Sequence, residues 1–530
     1  MSPRLVGVRP LLKVSLHQDI RNIGPWVVLI SALSASSVLG YNWVFPEQAE
    51  RAELAMTVGA NPALSLIFGP ARDLMTADGF NAWRAGMLGA FFAGIMAILI
   101  ITRNTRAQED SGQAELLASG VMSRPTRLAT ALAMAAIASV ALFVVASILT
   151  VIFGGDPVNS MMLAATFTLS GLIWAGLAAI AAQLGSDARS ASSISIAVIG
   201  AFFVGRGYID ASQAPEWMVW LTPFGWLEQV QPASGHNPWP LLLALAVAVI
   251  LAGIGFALQS RRDFGMGLLP PRPGPARGGW VGHPGGLTLR LNLGSVISWT
   301  VAFAVLGVVF GVLATSVGEV LAANPMVGRA LAAGAVSPSE LAFAFLVTIL
   351  SLVGIIAAVY GVQIVMRVYA EEINDRVDPL LAGSLSRPRF LAATALIAFV
   401  GPALAVLVGG TVIGFVAAAS EPNIIATDVI RQSLATIPAV WTLTALSLAV
   451  VGAAPRVRLI GWMGVVAAFA LTILGPLFNL WDWILGISPF WHVPNVASAD
   501  PDWLGLLWIS LVTLAFIAVG FAGFRRRDII

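Results

Sequence analysis

The chain has 530 residues, 58% of them hydrophobic and 11% charged, with a mean hydropathy of +0.86 and a formal net charge of +2. An average soluble domain carries about a quarter charged residues, so most of this chain is built for a solvent other than water. It has no cysteine, which excludes disulfides, thiolate metal sites and cysteine-borne lipid anchors.

Residues 1–22 lack the continuous apolar core of a signal peptide. Leucines and valines alternate there with Arg4, Arg9, Lys13 and His17, a pattern that predicts an amphipathic helix lying on the membrane surface. Apolar windows long enough to cross a hydrocarbon layer about 30 Å thick follow at 24–45, 83–102, 128–153, 161–184, 192–209 and 239–259. Residues 261–285 are rich in Pro, Gly and Arg, cannot bury a core, and read as a flexible linker. Next, "TLRLNLGSVI" from Thr288 looks like a shorter lead-in helix, and six more windows lie at 294–320, 341–366, 391–418, 432–453, 459–480 and 503–524. The fold predicted is an all-α polytopic membrane protein of about twelve transmembrane helices. Its parts are the surface helix (1–22), a six-span unit (23–260), the linker (261–285) and a second six-span unit with its own lead-in helix (286–530).

An even number of spans puts both termini on one side. Arginine crowds the N-terminus, the even-numbered loops, the linker and the C-terminal tail, whereas the opposite side carries Arg51, Arg72, Arg84, Arg206, Arg329 and Arg431. By the positive-inside rule the termini are cytoplasmic, and the expected location is the plasma membrane.

The chain then repeats itself. "EDSGQAELLASGVMSRPTRL" from Glu109 returns as "EINDRVDPLLAGSLSRPRFL" from Glu372. Glu109, Leu117, Gly120 and Ser123-Arg124-Pro125 align without a gap on Glu372, Leu380, Gly383 and Ser386-Arg387-Pro388. "LTPFGW" at Leu221 answers "ISPFWH" at Ile487, and Arg261-Arg262-Asp263 answers Arg526-Arg527-Asp528. Recurrence at a near-constant offset predicts two fused copies in parallel orientation, related by pseudo-two-fold symmetry.

Both copies of the first landmark fall in the cytoplasmic loop between the second and third spans. Each holds a helical turn or two, too short to be stable alone. In the second copy Asp378 can cap the start, Pro379 suits the first turn and Gly383 can end it. Leu116–Leu117 and Leu380–Leu381 give each turn an apolar pair suited to a groove on a partner protein. A solvated loop whose arginines only hold topology is the alternative.

A lead-in helix, six spans, a cytoplasmic loop with Glu, an apolar turn and a Ser-Arg-Pro stop, and a polar aromatic segment before the last span all occur twice. This layout resembles the permease subunit of type-two ABC exporters, in particular the fused, double-length permeases of tetronasin-like polyketide-antibiotic exporters of actinobacteria, over essentially the whole chain. The resemblance implies efflux of hydrophobic, antibiotic-like compounds by alternating access, with the repeated loop as the coupling helix that meets an ATPase. It assigns Glu109, Glu115, Leu116, Leu117, Ser123 and Arg124, and Glu372, Asp378, Leu380, Leu381, Ser386 and Arg387, to docking two copies of a separate ABC ATPase subunit. The chain has no phosphate-cradling Gly-x-x-x-x-Gly-Lys-Ser/Thr loop: its one lysine, Lys13, follows "GVRPLL" and precedes Val14. No catalytic residue, metal ligand, cofactor or nucleic-acid partner is assigned to it, and ATP and magnesium are expected on the partner.

Two other classes compete. A proton-coupled secondary multidrug transporter would keep ionisable residues at mid-membrane, whereas Arg84, Arg206, Asp210, Glu319 and Glu340 sit near the outer ends of spans. A membrane enzyme fits less well: His17, His236, His283 and His492 have no metal-ligand spacing, and Asp500-Pro501-Asp502 reads as a solvated helix cap.

In the resembled exporters the second and fifth spans of each half line the cavity. Matching positions here are Met87, Phe91, Phe92, Phe202, Phe203, Phe343, Phe345 and Phe469, side chains that hold varied apolar ligands by area. Ordinary helix packing is the alternative for each. Gly86, Gly89, Gly94 and Gly200 are expected to allow close helix approach. The outer Trp-rich segments around Trp217 and Trp481 read as re-entrant or interfacial helices, or as an aromatic belt. The longer outer stretch 46–82 occurs in the first half alone.

Overall fold

A computed structural model describes residues 6–59, 62–118, 122–212, 214–269, 279–315, 338–383, 385–420, 424–475, 480–498 and 500–528. It is all-α, and among these residues 11 helices are long and apolar enough to cross a membrane. The chain divides into two compact units, Met1–Gly274 and Pro275–Ile530.

The first unit runs α1 (Val8–Val44), α2 (Gln48–Gly59), α3 (Pro62–Phe68), α4 (Ala77–Thr102), α5 (Gln113–Ala118), α6 (Thr126–Ile152), α7 (Pro157–Leu184), α8 (Ala188–Ala211), α9 (Pro223–Glu228) and α10 (Trp239–Arg261). The second runs α11 (Pro284–Thr315), α12 (Pro338–Ile373), α13 (Asp378–Leu381), α14 (Arg387–Ser420), α15 (Ala426–Ala453), α16 (Leu459–Phe469), α17 (Asp482–Leu485) and α18 (Leu504–Arg526). Short polar side chains satisfy free N–H groups at the start of α4, α7 and α8. Thr76 accepts from Gly79 N, Asp156 from Val158 N and Asn159 N ahead of a first-turn Pro157, and Asp187 from Ser190 N.

Within each unit the second and fourth spans form the centre: 72% of the most apolar window is buried in α4, α7 and α15 alike, against 17% in α8, α10 and α11. Small residues let the central helices meet. A Cβ on Gly89 would lie 2.5 Å from the Phe167 ring, and one on Gly94 2.5 Å from Trp174 and Ile199. Gly86 has ordinary clearance and Gly200 faces open space, so two of the four glycines expected at helix contacts are there.

Two elements differ from the sequence reading. The surface helix expected over 1–22 is not a separate element: α1 runs from Val8 through Pro25 to Val44 without a break. Its polar face packs onto the end of the second span, where buried Asp19 takes Asn104 Nδ2 at 2.7 Å and Arg103 Nε at 3.2 Å. α11 likewise includes its lead-in segment, with Arg367 Nη1 donating to Asn292 Oδ1 at 2.5 Å. The span expected over 459–480 is described without interruption only as far as Gly475. α16 passes into a π turn, Ala470–Leu474, and residues 476–479 lie outside the described residues.

Gly89→Leu is therefore expected to lower the thermal midpoint of the purified protein, since overpacking costs about 1–3 kcal/mol. Gly200→Ala should leave it unchanged or raise it slightly. Similar midpoints for both variants would mean that the α4–α7 contact yields.

Candidate functional site

The second span continues past its apolar window. After Thr102, α4 goes through a π turn, Arg103–Ala107, into a last helical turn, Gln108–Asp110; such turns carry an extra residue and recur at functional sites. Arg106, in the π turn, is fully buried. It donates from Nε to Ala182 O at 2.5 Å, from Nη2 to Met266 O at 3.1 Å and from Nη1 to Glu109 Oε2 at 2.9 Å. Arg127, in the first turn of α6, donates to Glu109 Oε1 at 3.0 Å and to Thr105 O at 2.8 Å. Arg262, just past α10, reaches both Glu109 oxygens, at 2.6 and 2.9 Å. One carboxylate, its side chain 5% exposed, thus faces three guanidiniums, and the carbonyls of Ala182, Met266 and Thr105 take further N–H groups.

The second unit builds the same clamp with one arginine. Glu372, near the end of α12 and 1% exposed, accepts from Arg527 Nη2 at 2.6 and 2.8 Å. The positions that match Arg106 and Arg127 hold Tyr369 and Phe390. Arg527 Nε donates to Gly452 O at 3.0 Å, and Arg387 Nη1 donates to Arg527 O at 2.9 Å. Arg124 Nη2 donates in the same way to Arg262 O in the first unit. In each unit a buried carboxylate at the end of the second span therefore ties together, through arginines, the start of the third span and the ends of the fourth and sixth.

This changes the role expected of several docking residues. Glu109 and Glu372 do not present their charge outward, because burial leaves a carboxylate stable only where cations and N–H donors surround it. Arg124 and Arg387 each give an N–H to a main-chain carbonyl, and Ser123 Oγ is 2.7 Å from Thr126 Oγ1. What faces outward is the short helix beside each clamp. In α5, Ala114 is buried, Glu115 is exposed and Leu116 is 77% exposed; the side chain of Leu117 lies outside the described residues. In α13, Asp378 and Leu380 are exposed, Leu381 is half-buried, and Ser386 beyond it is exposed. Asp378 is the first helical residue and not the cap, which is Val377.

The cavity candidates divide. Met87 is buried and lines a small cleft of about 50 Å³ inside the first unit. Phe91 and Phe203 lie 4.8 Å apart, both near Phe224, while Phe202 meets Trp174 and Phe92 abuts Phe91. These rings pack α4, α7, α8 and α9 together. Phe343 is buried and Phe345 half-buried in the second unit's core, whereas Phe469 is 44% exposed. The two readings of the Trp-rich segments coexist: Trp217, Trp481 and Trp483 are exposed like a belt, while Phe224 and Phe490 plug inward. Hydroxyls of Thr222 and Ser488 hold those plugs by accepting from Gly225 N and Phe490 N. Sequence reasoning missed Glu228, whose one signal was a carboxylate inside an apolar segment, "LTPFGWLEQ".

Among the described residues, eleven helices long and apolar enough to cross a membrane define a multi-pass membrane protein. Comparison with known proteins makes the class specific. Residues 51–258 and 281–525 match a family described as the C-terminal domain of the multidrug efflux system permease Rv1217c. The chain is also 33% identical over 537 residues to the multidrug efflux system permease protein Rv1217c of Mycobacterium tuberculosis (strain ATCC 25618 / H37Rv), covering 99% of this chain and 95% of that protein. The chain belongs to this family of efflux-system permeases.

Removing one partner of a buried ion pair costs about 3–5 kcal/mol. Glu109→Gln strands three arginines and Glu372→Gln one, so both should lower the thermal midpoint, Glu109→Gln by more. In a double-mutant cycle, Glu372→Gln with Arg527→Gln should cost less than the sum of the singles. Equal losses for the two Glu variants would show that carbonyls alone satisfy Arg106 and Arg127.

Proposed function

We propose that the chain is the permease subunit of an ATP-driven exporter that moves hydrophobic, drug- or antibiotic-like compounds out of the cell by alternating access. The observation that carries this reading is the carboxylate–arginine clamp found in both units, each beside a short outward-facing helix. Force applied to a loose loop is lost in bending it, whereas force applied to α5 or α13 reaches four helix ends through a buried ion pair. Such a pair of levers suits two copies of a separate ATPase subunit, which would carry ATP and magnesium because this chain has no P-loop sequence. Leu116, Leu117 and Glu115, with Leu380, Leu381, Asp378 and Ser386, would meet that ATPase. Glu109 and Glu372 would hold the levers from inside, with Arg124 and Arg387 bracing them through main-chain carbonyls. The units would then be parallel repeats, 23–260 and 286–530, with 1–22, the linker 261–285 and both termini at the cytoplasmic face of the plasma membrane. Family membership supports efflux, and the relative's name supports a varied set of drugs.

Proton-coupled transport is the second reading, favoured by one observation: two carboxylates, Asp210 and Glu228, lie buried together at the end of the first unit remote from Glu109. Energised vesicles separate the two. With ATP supplied and the proton gradient collapsed, efflux of an apolar dye is expected to continue, and its arrest would favour proton coupling. Leu116→Asp combined with Leu380→Asp should weaken co-purification of a co-expressed ABC ATPase partner by at least about tenfold, the effect of 1.4 kcal/mol. Undiminished co-purification would remove the docking assignment.

A further inference from the structure

A cleft of about 360 Å³ opens between the last turns of α12 and the start of α16, at the end of the second unit that carries Glu372. That volume falls in the range of roughly 300–1,000 Å³ usual for small-ligand clefts. Met366, Ile373, Leu459 and Trp462 make its walls largely apolar. Arg458, half-buried in the wall, lays its guanidinium over the Tyr369 ring, 4.4 Å from the centroid. Among the described residues it pairs with no carboxylate, and none lines the cleft. Arg458 is also the residue ahead of α16, a helix whose first turn has neither a side-chain cap nor an acidic residue.

The first unit joins its second and fifth spans with carboxylates instead. Asp110, after α4, accepts from Ala188 N at 2.7 Å, and Asp187 caps α8 by accepting from Ser190 N at 2.8 Å. At the 263-residue offset Asp110 is matched by Ile373, and Arg458 precedes the fifth span where Asp187 does in the first unit. One unit brings its own anions to this junction, whereas the other brings a cation and leaves room beside it. Leu459, Met463 and Val466 fall on one face of α16 and are all exposed, so an apolar strip leads away from the cleft along the span. We infer that the cleft holds the headgroup of an anionic phospholipid, its phosphate on Arg458 and its acyl chains along Leu459, Met463 and Val466. Basic pockets between spanning helices take anionic headgroups, and Trp462 is a side chain suited to that depth. The lipid would bridge the span ends that Asp110 bridges in the first unit. The site goes beyond the efflux reading and holds whatever compound the protein moves.

Photolabelling of the full-length protein in phosphatidylcholine nanodiscs provides the test. The probes are phosphatidylglycerol and phosphatidylcholine, each with a diazirine in one acyl chain, and the readout is labelling of the peptide that contains 459–469. The phosphatidylglycerol probe should label it about fivefold more than the phosphatidylcholine probe, the effect of one arginine near a lipid surface. Arg458→Gln should remove the difference and Arg458→Lys should keep it. Ile373→Asp, which gives the second unit the acid of the first, should also remove it by answering Arg458 internally. Ile373 is exposed, so this variant decides the matter even where Arg458→Gln fails to fold. Excess glycerol 3-phosphate should leave labelling unchanged, and competition by it would mean that the cleft takes free phosphate esters, which overturns the lipid assignment. Equal labelling by the two probes, or a preference that survives both Arg458→Gln and Ile373→Asp, would overturn it as well.

Discussion

A carboxylate taken out of water reverts to its neutral form unless cations and N–H groups surround it. Glu109 and Glu372 are held to that condition at the ends of the second spans, and the surrounding structure follows from meeting it. Their arginines must come from other helices, because within α12 and α13 nothing of opposite charge reaches Glu372, and in the first unit Arg106 alone is local. Supplying Arg262 and Arg527 draws the ends of the sixth spans inward, and the carbonyls those arginines also occupy fix the neighbouring chain. Stability alone is a poor account of such a site, since apolar residues of equal volume often pack as well or better. What the ion pair adds is register: four helix ends have one arrangement in which every charge is answered.

The two clamps solve the same problem with different margins. The first holds three guanidiniums on one carboxylate and relies on Ala182 O, Met266 O and Thr105 O for the surplus. In the second, aromatic residues replace two of the arginines, and Tyr369 instead carries Arg458 over its ring at 4.4 Å. The opposite end of the first unit is distinct as well, because α3 and the chain after it bring Gly69 and Arg72 against Glu228. Among the described residues, the first unit's clamp holds more charge than the second's.

The spans were legible because a hydrocarbon layer demands about 20 apolar residues in a row, and windows of that length stand out in this composition. The loops were legible because Ser-Arg-Pro and a leading Glu recur together. The carboxylates' true setting was not, since a glutamate before an exposed turn reads the same whether it points outward or inward. A clue was present in the second recurrence, Arg262 and Arg527, but nothing local connects Glu109 to a residue 153 positions away. Continuity of α1 was hidden for a similar reason: whether a polar stretch lies flat or runs on into a span depends on Asp19 finding Asn104. Phe91 and Phe203 illustrate a third limit, because rings that fill a core and rings that line a cavity have the same spacing.

Charge placement has one more consequence. The middles of α4, α7, α10, α14, α15 and α18 contain no Asp, Glu, Lys or Arg, while the ends carry clusters that cannot be broken cheaply. An apolar contact has no preferred partner, and helices that meet through Ala, Gly and Leu can slide by repacking at modest cost. An ion pair in low dielectric has one partner and one distance. A bundle made this way is stiff at its ends and yielding between them. Displacement applied at a pinned end would therefore be shared by several helices and taken up where the packing is least specific, in the apolar middle.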